Sequence, residues 1–387
     1  MSKEVRVGVI GYGNMGTGVA RMFADNVEGA SVAAVCDIDP ERLQKAKEKF
    51  GEGTKYFEDA DAMIASGEVD GIYVATPHYE HPRLAIKGLE NNLHVLVEKP
   101  AGVYTKQVRE MNEAAAKSDR VFGLMFNQRT RPVHKKFRDL VESGELGEVQ
   151  RTNWIITTWF RSQAYYDSGG WRASWRGEGG GVLLNQCPHN LDLWQWIAGM
   201  PARIRSFASF GKYHDIEVED EVTAYAEYEN GATGLFITTT GEAPGTNRFE
   251  VIGDRGKVVM ENGKLTFWRT RQSVSEFCKT TKGSFGNPET WECSVPAAGH
   301  GDEHTGICRN WTAAIRDGKD LLAPGEEGIR SLQISNAMLL SAWKNDWVDI
   351  PVDEDEYKAE LDKRIETSRY EKKVVKKGAE DLSGSFA

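Results

Sequence analysis

No apolar run in the 387-residue chain approaches the length needed to cross a bilayer, which argues against an integral membrane protein. There is no basic excess either. The chain holds 48 Lys and Arg against 58 Asp and Glu, a net charge of −10, and this disfavours nonspecific nucleic-acid binding. Cys36, Cys187, Cys278, Cys293 and Cys308 are scattered, odd in number and lack Cys-x-x-Cys spacing, so free thiols in a reducing cytoplasm are expected. No cluster has metal-ligand spacing, so no metal is expected. Internal repeats and Pro- or Ser-rich linkers are missing. The first β-branched run starts almost at Met1, so no signal peptide is expected. What remains is a cytoplasmic enzyme of ordinary composition, long enough for two domains or perhaps three.

The chain is organised around Val5–Gly16. Val5, Val7, Val9 and Ile10 read as a short buried strand that runs into Gly11-Tyr12-Gly13-Asn14-Met15-Gly16. In such a motif the first glycine permits the tight turn. The second lets the backbone approach a pyrophosphate, and the third lets the next helix lie close to the strand. That helix is expected to begin near Asn14–Thr17, where its free N–H groups and dipole favour phosphate. A second strand, Ser31–Cys36, ends in Asp37, which follows Gly16 by 21 residues. A carboxylate so placed suits the adenosine ribose hydroxyls and repels a 2′-phosphate, so NAD is favoured over NADP.

Alternation of strand and helix continues. Gly71–Ala75 leads to Thr76-Pro77, His94–Val97 to Glu98-Lys99-Pro100, and Val121–Phe126 to Asn127; helices are expected at Pro40–Phe50, Asp59–Ser66, His81–Asn91 and Thr105–Ser118. This is the pattern of a doubly wound parallel sheet, an α/β Rossmann domain over residues 1–126. Gly11–Gly16, Asp37, Thr76-Pro77, Glu98-Lys99 and Asn127 all fall at strand carboxyl ends, where such sheets bind ligands. Beyond residue 127 the texture turns β-rich, with Asn230-Gly231 and Asn262-Gly263 as hairpin signals. Residues 127–352 therefore read as an α+β domain with a large open antiparallel or mixed sheet. Residues 353–387 read as a charged helix and tail.

Gly11–Gly16, Thr76-Pro77 with His81, and Glu98-Lys99-Pro100 together resemble the Gfo/Idh/MocA oxidoreductases, named for glucose–fructose oxidoreductase, inositol dehydrogenase and a rhizopine-catabolism protein. Asn127 to Pro132, and Gly179-Gly180-Gly181 with Leu183-Leu184, His189 and Asp192, match the later parts of that pattern. The resemblance spans roughly residues 3–350. It implies a Rossmann domain followed by an open-faced sheet, bound NAD, and a homodimer or homotetramer packed through that sheet. It also implies that Lys99 holds the reacting substrate oxygen. Many members carry an aspartate four positions before the histidine. This chain has Asn185, which bonds a hydroxyl but takes no proton.

Oxidising a secondary alcohol needs a base for the hydroxyl proton and a positive charge for the forming alkoxide. Lys99 suits the second task. His189, just after Pro188 in a first helical turn, suits the first. Asp192, one turn on, shares a helix face with His189 and is placed to support it. Trp154, Trp159, Trp171, Trp175, Trp194 and Trp196 crowd one region with Tyr165 and Tyr166. Aromatic faces stack on sugar rings, although at least half of these are expected to be packing. Trp171-Arg172 is the pair placed nearest substrate. Arg161, Arg172 and Arg176 suit an acidic sugar, and His304 with Glu303 opens a helix that reaches toward the same pocket.

The expected activity is an NAD-dependent dehydrogenase acting on a ring hydroxyl of a sugar, glycoside or cyclitol. The substrate site combines Lys99, Trp171, Arg172, Asn185, His189 and His304. The cofactor site combines Gly11 to Gly16, Asp37, Thr76, Pro77, His81, Glu98, Lys99 and Asn127. Two alternatives stand beside it: a redox-neutral enzyme that cleaves a glycoside through transient oxidation with retained NAD, and a non-catalytic NAD sensor.

Overall fold

The computed structural model of the chain describes residues 4–297 and 299–368; the charged tail expected beyond them lies outside the described residues. The strand expected at the start forms as β1 (Val5–Ile10) and is followed by α1 (Asn14–Asn26) and β2 (Ala30–Cys36). Next come α2 (Pro40–Phe50), β3 (Lys55–Phe57), α3 (Ala60–Ala65) and β4 (Gly71–Val74). The half closes with α4 (Glu80–Glu90), β5 (His94–Val97), α5 (Thr105–Ala116) and β6 (Phe122–Leu124). Strand order is β3-β2-β1-β4-β5-β6, with every pairing parallel. The crevice outside the carboxyl ends of β1 and β4, where the order reverses, is where such a sheet takes its ligand. Asp39 and Asp59 cap α2 and α3 by accepting from Glu41 N and Ala62 N, as their residue types favour.

A short 3-10 turn, Asn127–Thr130, leads into α6 (Pro132–Glu142), β7 (Val149–Ile156), α7 (Gln163–Asp167) and α8 (Pro188–Ala198). Then come β8 (Arg203–Phe210), β9 (Glu219–Glu227), β10 (Thr233–Thr239), β11 (Asn247–Gly253), β12 (Gly256–Glu261) and β13 (Lys264–Thr270). The described chain ends with α9 (Val274–Thr280), β14 (Thr290–Val295), α10 (Glu303–Asp317), α11 (Gly328–Lys344), β15 (Val348–Asp349) and α12 (Glu354–Thr367). The second sheet runs β14-β13-β12-β11-β7-β10-β9-β8-β15; β7 pairs parallel with β10 and the remaining pairings are antiparallel, so it is mixed. Both Asn-Gly pairs sit in hairpins, and Asn262 and Gly263 take φ of 51° and 70°, as a tight turn matched to strand twist requires. The composition of α7, α9 and β14 carries no strong period, and none of them was foreseen.

Period-two alternation decides which face of the second sheet is covered. Trp154, Phe236 and Phe249 point inward, with Trp154 stacked on Phe249 at 4.3 Å and Trp194 of α8 on Phe236 at 5.4 Å. Phe207 and Tyr225 alternate outward and are 62% and 41% exposed. Helix α11 is buried along almost its whole length between β8, α8 and α5; Asn336 on it accepts from Thr105 N and donates to Val103 O, tying the two sheets together. Helix α10 lies within the 127–352 stretch yet packs on the parallel sheet beside α1. Its Trp311 is fully buried against Phe23 at 6.0 Å and donates from Nε1 to Val95 O at 3.2 Å. Gly71 makes room for it, since a Cβ there would stand 2.7 Å from the Trp311 ring. Among the described residues no helix is long and apolar enough to cross a membrane.

Trp311 thus belongs to the core of the first sheet. Trp311→Ala is expected to cost about 3–5 kcal/mol in urea unfolding. A loss under about 1 kcal/mol would show that α10 is not part of that core.

Candidate active site

The three glycines divide by what crowds them. A Cβ on Gly11 would stand 2.6 Å from Ala75 O, and one on Gly16 would stand 1.8 Å from Gly11 O, so both positions are required by the protein's own backbone. Gly13 meets only Arg42 Nη1 at 3.7 Å, and its outer side is open. It is the residue before α1, which has no side-chain cap and no acid in its first turn. Free N–H groups at an uncapped, uncrowded helix start are what a pyrophosphate needs. Asn14 and Met15 form that first turn. Asp37, buried at the end of β2, accepts from Tyr12 N at 2.6 Å and Asp39 N at 2.9 Å, with Arg42 Nη1 at 3.4 Å. Its carboxylate is thereby aimed along the glycine turn, with lone pairs left over. On the far side, Thr76 Oγ1 and Asn127 Oδ1 are buried without hydrogen-bond partners. Buried polar atoms are rarely left so, and here both residues follow strand carboxyl ends of the parallel sheet. These residues fit NAD.

Lys99 leaves the end of β5 and crosses to the second half of the chain, where its Nζ donates to Asn185 O at 3.0 Å. Burial pushes its pKa down; Glu98 opposes the shift, and Arg172 and Arg161 add to it. Two residues expected to touch cofactor have their side chains bonded within the protein around Lys99. The carboxylate of Glu98 turns into the core, accepting from Tyr73 Oη and from Lys99 N. His81 has Nδ1 2.8 Å from Pro100 O and Nε2 2.7 Å from Thr76 O, so neither ring nitrogen faces the crevice. Pro77, next to Thr76, is exposed.

His189 is the second residue of α8, one turn from where the Asn185 carbonyl meets Lys99. It is buried and its Nδ1 has no partner. Burial drives its pKa well below the ordinary imidazole value, and the charges of Lys99, His304 and Arg131 push the same way. The ring is therefore neutral. His304, at the start of α10, is buried with its pKa pushed down to about 4, chiefly by burial and then by Lys99 and Arg131, so it lies near the same centre. Asn127 Nδ2 and Arg131 Nε both donate to Glu303 at 2.6 Å, which fixes the approach of α10.

The support expected from Asp192 goes elsewhere. Its carboxylate accepts from Arg129 Nε at 2.8 Å, Arg129 Nη2 at 2.6 Å and Gln195 Nε2 at 3.0 Å, and both ionic partners are 1% exposed. A two-pronged guanidinium attracts the carboxylate more strongly than a neutral imidazole, and Arg129 also reaches Glu327 at 2.5 Å. Asp192 therefore bolts α8 to the Asn127–Thr130 turn. Arg129 carried no sequence signal, being one arginine among many.

The expected substrate pair, Trp171-Arg172, closes the other side. Trp171 packs edge-on to His78 at 5.0 Å, and Arg172 lies 5.1 Å over the Tyr165 ring. Tyr165 Oη donates to Asn185 Oδ1 at 3.3 Å, so the asparagine presents its carbonyl to Lys99 and its side chain to the aromatic wall. Glu178 was not anticipated. It accepts from the Asn185 amide and, at 2.6 Å, from Ala173 N, where φ is +64°. A lone acid between Gly177 and Gly179 was the available signal. Buried Glu219 accepts from Gly181 N and Leu183 N and holds the turn before α8. His78, whose buried Nδ1 has no partner, was also missed. Most tryptophans pack, as Trp154, Trp194 and Trp175 do. Arg176 points away, to Ile365 O at 3.3 Å.

Two family profiles match the chain: "Oxidoreductase family, NAD-binding Rossmann fold" over residues 5–126 and "GFO/IDH/MocA C-terminal domain" over residues 134–259. The chain is 27% identical over 271 residues to myo-inositol 2-dehydrogenase of Thermotoga maritima, covering 68% of this chain and 77% of the relative. It is 29% identical over 259 residues to D-glucoside 3-dehydrogenase of Escherichia coli, covering 62% and 71%. The WlbA dehydrogenase of Chromobacterium violaceum, solved with NADH and UDP-GlcNAcA, superposes with a TM-score of 0.79 at 25% identity over 91% of this chain and 98% of that one.

Asp192→Ala leaves the Arg129 charge buried beside a lost partner. The expected cost is about 3–5 kcal/mol of stability in denaturant unfolding. Unchanged stability would show that the ion pair does not hold α8 to the turn.

Proposed function

The chain belongs to the Gfo/Idh/MocA oxidoreductases, and from that premise we propose that it is an NAD-dependent dehydrogenase acting on a secondary ring hydroxyl of a sugar, glycoside or cyclitol. One observation carries the reading: Lys99, held by Asn185 O at 3.0 Å, shares a buried crevice with a neutral His189 whose Nδ1 is unpartnered. An ammonium and a free imidazole side by side are the two groups that alcohol oxidation requires. Relatives named as inositol and glucoside dehydrogenases support the substrate class.

Gly13 and the first turn of α1 hold the pyrophosphate, and Asp37 accepts from the ribose hydroxyls. Thr76, Pro77 and Asn127 flank the nicotinamide end. Bound NAD supplies the hydride acceptor. Lys99 binds the substrate hydroxyl oxygen and favours its negative form as the proton leaves. His189 takes that proton. The side chain of Asn185, fixed between Tyr165 and Glu178, orients the sugar without proton transfer. Trp171 and Arg172 cover the ring and exclude water. Residues 1–126 carry the cofactor and 127–352 the substrate wall, with α10 shared between them, while α12 lies outside both. The uncovered sheet face, with Phe207 and Tyr225 exposed, is the surface through which a homodimer or homotetramer forms. The scattered, unpaired cysteines favour the cytoplasm as the place of action.

The test is a panel of cyclitols, aldoses, uronic acids and glycosides with NAD⁺, read by NADH absorbance and product mass together. NADH rising with an oxidised product establishes the activity. A glycoside cleaved without net NADH would replace it with the redox-neutral cycle.

His189 acts only when neutral, so kcat/KM for oxidation falls as pH drops through its lowered pKa, below about 6.5. Lys99 acts only when charged, so the alkaline limb lies below the ordinary lysine value. His189→Ala is expected to lower kcat by about 100-fold or more and to remove the acid limb. Wild-type turnover in that variant would reject the base assignment.

Gly13→Ala should leave stability within about 0.5 kcal/mol while weakening NAD binding about tenfold or more. Gly16→Ala should disrupt the fold itself. Unaltered NAD affinity in Gly13→Ala, read by fluorescence titration, would remove the phosphate from this turn.

A further inference from the structure

Asn127 stands at the nicotinamide end of the proposed cofactor site, and a carboxylate from much later in the chain decides which way its amide is turned. Asn127 is buried and follows the carboxyl end of β6. Its Nδ2 donates to Glu303 Oε2 at 2.6 Å, across 176 residues. A carboxylate only accepts, so the amide cannot be reversed without setting oxygen against oxygen. The amide oxygen is therefore turned away from Glu303, and this Oδ1 is buried without a hydrogen-bond partner. The other carboxylate oxygen, Glu303 Oε1, accepts from Arg131 Nε at 2.6 Å. Both oxygens of Glu303 are thus committed, one to a guanidinium and one to Asn127.

Glu303 itself is held in an uncommon conformation. Its φ is +47°, which residues other than glycine rarely adopt and which persists where surrounding contacts impose it. The loop before it lies against the turn that carries Asn127: a Cβ on Gly301 would stand 2.7 Å from Thr130 O. Thr130 Oγ1 donates back to Asn127 O at 2.7 Å, so the backbone and the side chain of Asn127 are both fixed. This is the reacting end of the crevice. Phe126, next to Asn127, packs edge-on to the His189 ring at 6.3 Å. His304, next to Glu303, has its pKa lowered by burial and then by the charge of Lys99. Asp37, at the adenosine end, follows β2 on the other side of β1 in the sheet.

The nicotinamide is the part of the dinucleotide that must reach Lys99 and His189, and its carboxamide carries N–H donors. We propose that Glu303 is a positioning residue for the cofactor: by holding Nδ2 of Asn127, it presents Oδ1 as the acceptor for the carboxamide N–H of the nicotinamide. This rests on the dehydrogenase reading for the presence of NAD. Holding the carboxamide limits rotation of the nicotinamide about its glycosidic bond, so a residue of α10 takes part in selecting the ring face turned to Lys99.

The test reads binding, not turnover. Dissociation constants are measured by calorimetry for NAD⁺, for 3-acetylpyridine adenine dinucleotide, whose methyl ketone lacks the carboxamide N–H, and for ADP-ribose, which lacks the ring. Wild type, Asn127→Ala and Glu303→Gln are compared. In Glu303→Gln the new amide gives its oxygen to Arg131, which only donates, and its NH2 to Asn127. That turns the Asn127 amide round and sets N–H against N–H at the carboxamide. Wild type is expected to favour NAD⁺ over the acetylpyridine analogue by about tenfold or more, and each variant to cut that preference about tenfold. ADP-ribose affinity should stay within about twofold in all three proteins. A preference missing from wild type, or one that survives in either variant, overturns the proposal while the NAD reading stands. An equal loss for all three ligands also overturns it, because the role of Glu303 is then structural. If wild type binds neither dinucleotide, the cofactor reading falls and the proposal with it.

Discussion

A single hydrogen bond joins the two halves of this chemistry, from Lys99 Nζ to Asn185 O. Lys99 ends a strand of the parallel sheet, while Asn185 precedes the helix that carries His189. An ammonium needs an acceptor when it leaves water, and a backbone carbonyl supplies one without adding a second charge. In the proposed reaction the Lys99 ammonium also meets a substrate oxygen, and in the structure it is hydrogen-bonded to this neutral acceptor. Much of the surrounding structure maintains that contact. Glu98 and His81 fix the backbone on one side, and Glu178 and Glu219 fix the turn on the other.

Buried charge is partitioned to keep the reacting groups unpaired. The carboxylate nearest His189 along its own helix is Asp192, and Arg129 engages it fully. Had Asp192 met the imidazole instead, it would have raised the ring's pKa and held it charged, unable to act as a base. The structure takes the other course: burial and neighbouring cations lower the His189 pKa. Glu98 accepts from Tyr73 and Lys99 N, while its charge still acts on the Lys99 ammonium and opposes the downward shift that burial imposes.

Most of the fold was legible because its signals are local. Val5–Ile10 ends in glycines, Asp39 and Asp59 are capping residues, and Asn262-Gly263 is a tight turn whatever surrounds it. Elements without strong periodicity were not legible: β14 is an exposed edge strand, and α7 and α9 are short. Site residues divide along the same line. Gly13, Asp37, Lys99 and His189 sit where strand ends or helix starts put them. Glu178, Arg129 and Tyr165 acquire their places through contacts distant in sequence, such as Arg129 with Asp192 across 63 residues and with Glu327 across 198. A spacing rule reads positions along one element and is blind to which element a side chain will meet. Asp192 shows the limit most plainly. Its place on the helix face was expected, and only the tertiary packing, by bringing Arg129 to it, decided its partner.

That distinction bears on how such a site changes its substrate. The residues fixed by local grammar, Gly13, Asp37, Lys99 and His189, are the ones proposed to handle cofactor and proton, a task that does not depend on what else the sugar carries. The wall opposite them, made of Arg161, Tyr165, Trp171 and Arg172, comes from the segment between β7 and α8, which is loop except for the short α7 that carries Tyr165. Loops tolerate sequence change that strands and glycine turns do not. Tyr165 contacts both parts, with its ring under two guanidiniums and its hydroxyl on the side chain of Asn185, whose carbonyl holds Lys99. Changing the arginines around that tyrosine would alter the wall while leaving Lys99 and His189 where a strand end and a helix start put them.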